Sequence, residues 1–257
     1  MAIGAKFVGG KSADGVWQRI INLVPPCGTL IEPFAGEATI ARKIRPPAEI
    51  ILVDKVRQPG LVLPAGARFI SGDGISFIEG YRYRGDEFIY GDPPYFLPAR
   101  GHRQYYEHEM PDREHERLLR VVKWINCRVM ISGYRSPLYD RELADWNRIE
   151  FKAMTRGGTV ATEVLWFNYP RPVTLQDYRF VGENFRERCR HRRQLRRWVA
   201  RFAALPALER GAVFQALAEA AAPAPRASSG AGGLRHLAGA PEMAPLQESH
   251  PRVSGAA

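Results

Sequence analysis

Between residues 29 and 169 the chain alternates short apolar runs with segments of helical pattern, and several of the runs stop on an acid or a glycine. This pattern is the strongest constraint on the fold. The spacing predicts strands over residues 29–34, 49–54, 68–71, 87–90 and 128–133. It predicts helices over 37–44, 114–124 and 137–146, with a short one after Asp73. Ser12 can cap an earlier helix running to about residue 23, which Pro25 and Pro26 stop. Residues 148–154 and 162–169 read as two strands joined by a turn at Gly157-Gly158. Strands that alternate with helices imply an α/β fold with a mostly parallel sheet covered on both faces, and the last pair adds an antiparallel edge hairpin.

After Pro170 the character changes. Residues 175–210 are helix-prone and rich in arginine, and a second helix follows Pro206 to about residue 221. Residues 222–257 are mostly Ala, Gly, Pro and Ser and read as a disordered tail, because they bury too little surface to offset ordering entropy. The domains expected are therefore 1–170, an Arg-rich helical extension over 171–221, and the tail. The chain carries a net charge of +10, and only six of its 37 basic residues are lysines. Arginine pairs bidentately with phosphate, so the excess suggests a polyanionic partner, with codon preference as the plain alternative. Residues 179–210 hold ten arginines against Glu183, Glu187 and Glu209, a net charge of +7.

Other classes are excluded or disfavoured. Apolar runs such as residues 50–53 are far short of a membrane helix, and residues 1–10 lack the apolar stretch of a signal peptide, so a cytoplasmic protein is expected. Cys27, Cys127 and Cys189 form no CxxC pair, and His102, His108 and His115 fall in a polar stretch and read as solvated. No metal site is expected.

In an open parallel sheet, ligands bind beyond the carboxyl ends of the strands. Four clusters fall there. Glu32-Pro33-Phe34-Ala35-Gly36 leads a strand into a glycine turn where a ligand can lie against the backbone. Asp54 ends the second run, as a ribose ligand or a solvated strand end. Asp73 follows the third, as an acceptor for an adenine amine or as a helix cap. Gly91-Asp92-Pro93-Pro94-Tyr95 is the most specific. Its two prolines fix the backbone and remove two N–H donors, so an acid, directed carbonyls and an aromatic ring make an acceptor-lined slot.

In order along the chain, Lys6-Phe7-Val8-Gly9-Gly10-Lys11, Glu32-Pro33-Phe34-Ala35-Gly36, Asp54, Asp73 and Asp92-Pro93-Pro94-Tyr95 resemble the S-adenosylmethionine-dependent DNA adenine N6-methyltransferases of the Dam-like, phage-carried class. The resemblance covers residues 3–170 and implies a Rossmann-like methyltransferase fold. It implies that Phe7, Gly10, Lys11, Glu32, Phe34, Gly36, Asp54, Asp73 and Asp92 bind S-adenosylmethionine. It also implies that Asp92, Pro93, Pro94 and Tyr95 form the catalytic slot for a flipped adenine in double-stranded DNA. A cognate restriction enzyme is the further partner it implies, and the expected state is a monomer or weak dimer. Three segments are candidates to touch DNA: the loop with Arg100, Arg103, Tyr105 and Tyr106, the turn with Arg156, and the helix with Arg190, Arg193 and Arg197. Trp198, Phe202, Leu205 and Leu208 would dock that helix. One departure stands out: only 19 positions separate Asp73 from Asp92, with no room for the target-recognition domain that much of the class carries there. Adenine in RNA, or the N4 amine of cytosine in DNA, are the alternative substrates. A nonenzymatic nucleic-acid-binding protein with this fold is the alternative of another class.

Overall fold

The computed structural model describes residues 15–100, 109–154 and 160–221. In chain order the elements are α1 (Val16–Ile21), β1 (Thr29–Glu32), α2 (Thr39–Lys43), β2 (Glu49–Asp54), β3 (Ala67–Ser71), α3 (Gly74–Gly80), β4 (Glu87–Gly91), a 3-10 turn (Leu97–Arg100), α4 (Asp112–Trp124), β5 (Arg128–Gly133), α5 (Pro137–Glu142), β6 (Asn147–Met154), β7 (Val160–Phe167), α6 (Phe185–Ala203) and α7 (Ala207–Ala221). The strands form one seven-stranded sheet in the order β3-β2-β1-β4-β5-β7-β6. β7 pairs antiparallel with both of its neighbours, and the pairs among β1 to β5 are parallel. This is a Rossmann-like α/β fold, a mostly parallel sheet with an antiparallel edge hairpin.

The strand alternation sorts the core into two layers. Leu30, Ile50, Leu52, Phe88, Tyr90 and Met130 pack with α1 and α2, whereas Ile31, Ile51, Val53, Ile89, Val129 and Ile131 pack with α3, α4 and α5. Both faces are covered, so the strands read as continuous apolar runs. The hairpin differs from a simple edge pair in one respect: the later strand, β7, inserts between β5 and β6. Its Val164-Leu165-Trp166-Phe167 run is buried throughout, as an interior strand requires, whereas β6 alternates apolar and polar residues as an edge strand does.

One close approach sets the carboxyl edge. A Cβ built on Gly74 would lie 1.7 Å from the Pro33 carbonyl oxygen, so the start of α3 rests directly on the loop after β1. Gly74→Ala must displace that backbone. It is expected to cost about 3 kcal/mol, as overpacking does, read as a lower urea midpoint, and to weaken any ligand held by the β1 loop. An unchanged midpoint would contradict this packing.

Beyond the sheet, the helix expected from residue 175 starts only at Phe185. The preceding residues are bound to the sheet domain instead. Asp177 is buried, accepts from the Arg45 N–H at 2.9 Å and pairs with Arg179, and Arg179 in turn donates to the Lys43 carbonyl. Phe180 packs edge-on against Trp17 at 4.6 Å. The chain separates into two compact units, one through Arg201 and one from Phe202 onward. Of the apolar stripe expected to dock the Arg-rich helix, Trp198 is 60% exposed in the first unit and Leu208 is 91% exposed in the second, whereas Phe202 and Leu205 are half-buried. Among the described residues, no helix is long and apolar enough to cross a membrane.

Candidate active site

The strand order reverses between β1 and β4, and the crevice at such a switch point is where an open parallel sheet binds ligands. The structure brings Glu32, Asp54 and Asp92 to this edge, at the ends of β1, β2 and β4. Asp54 joins the surrounding loops. Its Oδ2 accepts the Gly36 N–H at 2.8 Å, and its main-chain carbonyl accepts the Gly72 N–H at 2.9 Å. The Gly36 turn is further bound to β2 by the Ala35 N–H donating to the Val53 carbonyl. Gly36 sits at φ 49°, a left-handed conformation that glycine adopts without strain, and Ala38 shares that φ without glycine's freedom.

Glu32 lies beneath this turn at 3% exposure. Its carboxylate accepts the Ala41 N–H at 2.6 Å, in the first turn of α2, where Ala38 supplies no side-chain cap. Burial pushes the Glu32 carboxyl up to about 8; the Ala41 hydrogen bond opposes the rise and the Asp92 charge adds to it. Asp73 is the N-cap of α3, accepting from the Ser76 N–H at 2.8 Å. Burial raises its carboxyl, but the Ser76 hydrogen bonds and the Lys55 and Arg117 charges outweigh this and hold it low. Of the two roles open to Asp73, the cap is the one it fills in the fold. Phe34 is partly buried against the second core layer.

Asp92 and its partners stand on β4 and β5 and the turn that follows β4. Asp92 Oδ1 accepts from the Ser132 hydroxyl at 2.7 Å, and Ser132 Oγ lies 3.1 Å from the Tyr90 hydroxyl. Pro93 is buried and Pro94 half-buried. Tyr95 is 6% exposed and packs edge-on against Tyr134, with centroids 4.7 Å apart. The Tyr95 ring is thus packed within the fold. Tyr90, Ser132 and Tyr134 did not emerge from the sequence, because no motif links them to Asp92. Ser132 is the one with a detectable signal, as a polar residue in an otherwise apolar strand.

The other expected positions divide. Phe7, Gly10, Lys11, Arg103, Tyr105, Tyr106 and Arg156 lie outside the described residues, and Arg100 is described only as the end of the 3-10 turn. Arg190, Arg193 and Arg197 are exposed along one side of α6, but Arg188 is buried and Arg179 is committed to Asp177. His115 is not solvated as its polar surroundings suggested. It is fully buried on the inner face of α4, with Nδ1 2.9 Å from the Tyr139 hydroxyl and its ring against Phe96. Between Asp73 and β4 stands only α3 and its following turn, so no recognition domain is inserted there. The hairpin β6–β7 continues four residue pairs beyond the Gly133–Val164 pairing, past the end of β5.

No family model and no curated protein matches this sequence. Among solved structures, the chain is similar to a precorrin 8W decarboxylase of Methanobacterium thermoautotrophicum, at 13% identity over 63% of this chain and 94% of that one, with a TM-score of 0.41. It is similar to a SAM-dependent methyltransferase of Methanosarcina mazei, at 13% identity, 58% and 95% coverage and a TM-score of 0.38. An rRNA methylase of Streptococcus thermophilus is similar at 9% identity, 59% and 93% coverage and a TM-score of 0.36.

Proposed function

We propose that the chain is an S-adenosylmethionine-dependent methyltransferase acting on the N6 amine of adenine in double-stranded DNA. The observation that carries this reading is the Asp92 carboxylate, held by Ser132 at the switch point and followed by the Pro93-Pro94-Tyr95 turn. The cofactor assignment is supported by the second strand end. Asp54 accepts the Gly36 N–H through Oδ2 and, at 3.4 Å, the Val56 N–H through Oδ1, and a carboxylate with about four lone-pair sites keeps capacity for two ribose hydroxyls. When bound, S-adenosylmethionine supplies a methyl group made electrophilic by its sulfonium.

The exocyclic amine of adenine is a poor nucleophile, because its lone pair is delocalised into the ring. Asp92 and the Pro93 carbonyl accept its two N–H groups, which favours a pyramidal nitrogen with the lone pair directed at the methyl. On taking up the methyl that the sulfonium would release, the amine would shed one proton along its hydrogen bond to Asp92. Fixed acceptors of this kind cost no reorganisation during reaction. In a duplex the base must first be flipped out, at about a few kcal/mol. Phosphate contacts from α6 help to offset that cost without reading sequence.

The assignment is tested by radiolabelled methyl transfer to unmethylated duplex DNA and to RNA in parallel, with label expected in DNA. Replacing Arg190, Arg193 and Arg197 together by alanine should weaken duplex binding and flatten its dependence on salt. The log–log slope should fall by roughly 2–3 if each contacts one phosphate. S-adenosylmethionine affinity should not change. An unaltered slope would return α6 to a solvated helix.

A further inference from the structure

We propose that Ser132 is the positioning residue of this site: its hydroxyl, backed by Tyr90, fixes the Asp92 carboxylate in the orientation that faces the target amine. The inference rests on the functional reading above and extends it to residues outside the recognised motif.

The geometry determines the direction of each bond. Ser132 has a single hydroxyl proton, and a carboxylate oxygen at 2.7 Å can only accept it. Its contact with Tyr90 must therefore run the other way, with the tyrosine O–H donating to Ser132 Oγ at 3.1 Å. The result is a directed chain from Tyr90 through Ser132 to Asp92, crossing from β4 to β5 and back. Parallel pairing sets it up, since Tyr90 is opposite Met130 and Gly91 opposite Ile131, which brings Asp92 level with Ser132. Hydrogen bonds in such a chain polarise one another, so Ser132 is a stronger donor than an isolated hydroxyl.

The location argues against mere filling. Ser132 is fully buried, Tyr90 nearly so, and the preceding β5 residues Val129, Met130 and Ile131 are apolar core. A buried hydroxyl in such a strand is unfavourable unless bonded, and an alanine would fill the space without that demand. What the serine adds is a fixed donor for one Asp92 oxygen. The terminal torsion of an aspartate is broad and roughly two-fold, so a short bond from a rigid, buried donor narrows the carboxylate's orientations. An acceptor that must meet a developing charge is useful only when already aimed.

The test compares Ser132→Ala, Ser132→Thr and Tyr90→Phe with the wild type, using duplex DNA and saturating S-adenosylmethionine. Ser132→Ala should lower kcat about 100-fold, the scale of one preorganised hydrogen bond, with KM for DNA and cofactor within about two-fold. Tyr90→Phe should give a smaller loss in kcat alone, and recovery of kcat by Ser132→Thr would support a hydroxyl-specific role. A crystal structure of Ser132→Ala should show the Asp92 carboxylate rotated or split between conformers. A wild-type kcat in Ser132→Ala, or an unmoved Asp92 in its crystal structure, overturns the proposal. If the wild type methylates no nucleic acid, the functional reading falls instead, and the Asp92 orientation still decides the positioning role.

Discussion

Replacing Asp92 by alanine is expected to lower turnover at least about 1,000-fold while leaving S-adenosylmethionine affinity within about three-fold. Asp92 accepts from Ser132 through one oxygen and, on the proposed reading, from the target amine through its carboxylate, so alanine removes the acceptor and leaves the Ser132 hydroxyl without it. The groups assigned to the cofactor's ribose stand on other elements: Asp54 ends β2 and is bound to the Gly36 turn independently of Asp92. Binding and chemistry should therefore separate. Asp92→Asn sharpens the point. Ser132 would direct the amide oxygen toward itself and turn the amide NH2 toward the substrate, setting donor against donor. Its kcat is expected to fall at least about 100-fold. Equilibrium binding and single-turnover transfer, measured side by side, check both variants. Substantial turnover in Asp92→Ala would remove the slot from the chemistry.

The second large effect concerns stability and Glu32. Its ordinary value of 4.5 applies in the unfolded chain, whereas burial raises the folded value to about 8. Between those limits the native state holds a proton that the unfolded state has released. The contribution to stability is thus most favourable below about 4.5, declines as pH rises and is fully lost above about 8. The whole change corresponds to about 5 kcal/mol. Glu32→Gln keeps an oxygen for the Ala41 N–H and removes the titration. Its unfolding free energy in urea should fall much less than the wild type's between pH 5.5 and 8.5, and it should be the more stable protein at the upper pH. Other carboxylates, such as Asp73 and Asp177, titrate in both proteins and cancel in the comparison. Identical pH dependence in the two would show that Glu32 is not buried with its proton.

The parts of this molecule that could be read from residues are those encoded over short distances. Alternating apolar runs place β2 and β5 at their observed bounds, because burial on both faces leaves a continuous hydrophobic signature. The Asp92-Pro93-Pro94-Tyr95 turn after β4 stands out in the sequence because two consecutive prolines follow an acid at a strand end. What escaped depends on pairing between distant segments. Ser132 meets Asp92 across 40 positions through the register of β4 and β5. Gly74 cannot carry a side chain only because Pro33, in the loop after β1 and 41 positions earlier, approaches it. His115 looked solvated from its neighbours, yet the helix turns it toward Tyr139 and Phe96. Helical amphipathicity misled in the opposite sense: of the stripe expected to dock the Arg-rich helix, Trp198 and Leu208 stay exposed. Period alone reports which residues share a face, not whether anything covers it.

The central claim is that this site methylates adenine N6 in DNA. Its most direct test is nucleoside analysis of unmethylated duplex DNA after incubation with the purified protein and isotopically labelled S-adenosylmethionine. The label is expected in N6-methyl-2′-deoxyadenosine and absent from a parallel Asp92→Ala reaction. Label in N4-methylcytosine, label only when RNA is supplied, or cofactor binding with no transfer to either nucleic acid would contradict it.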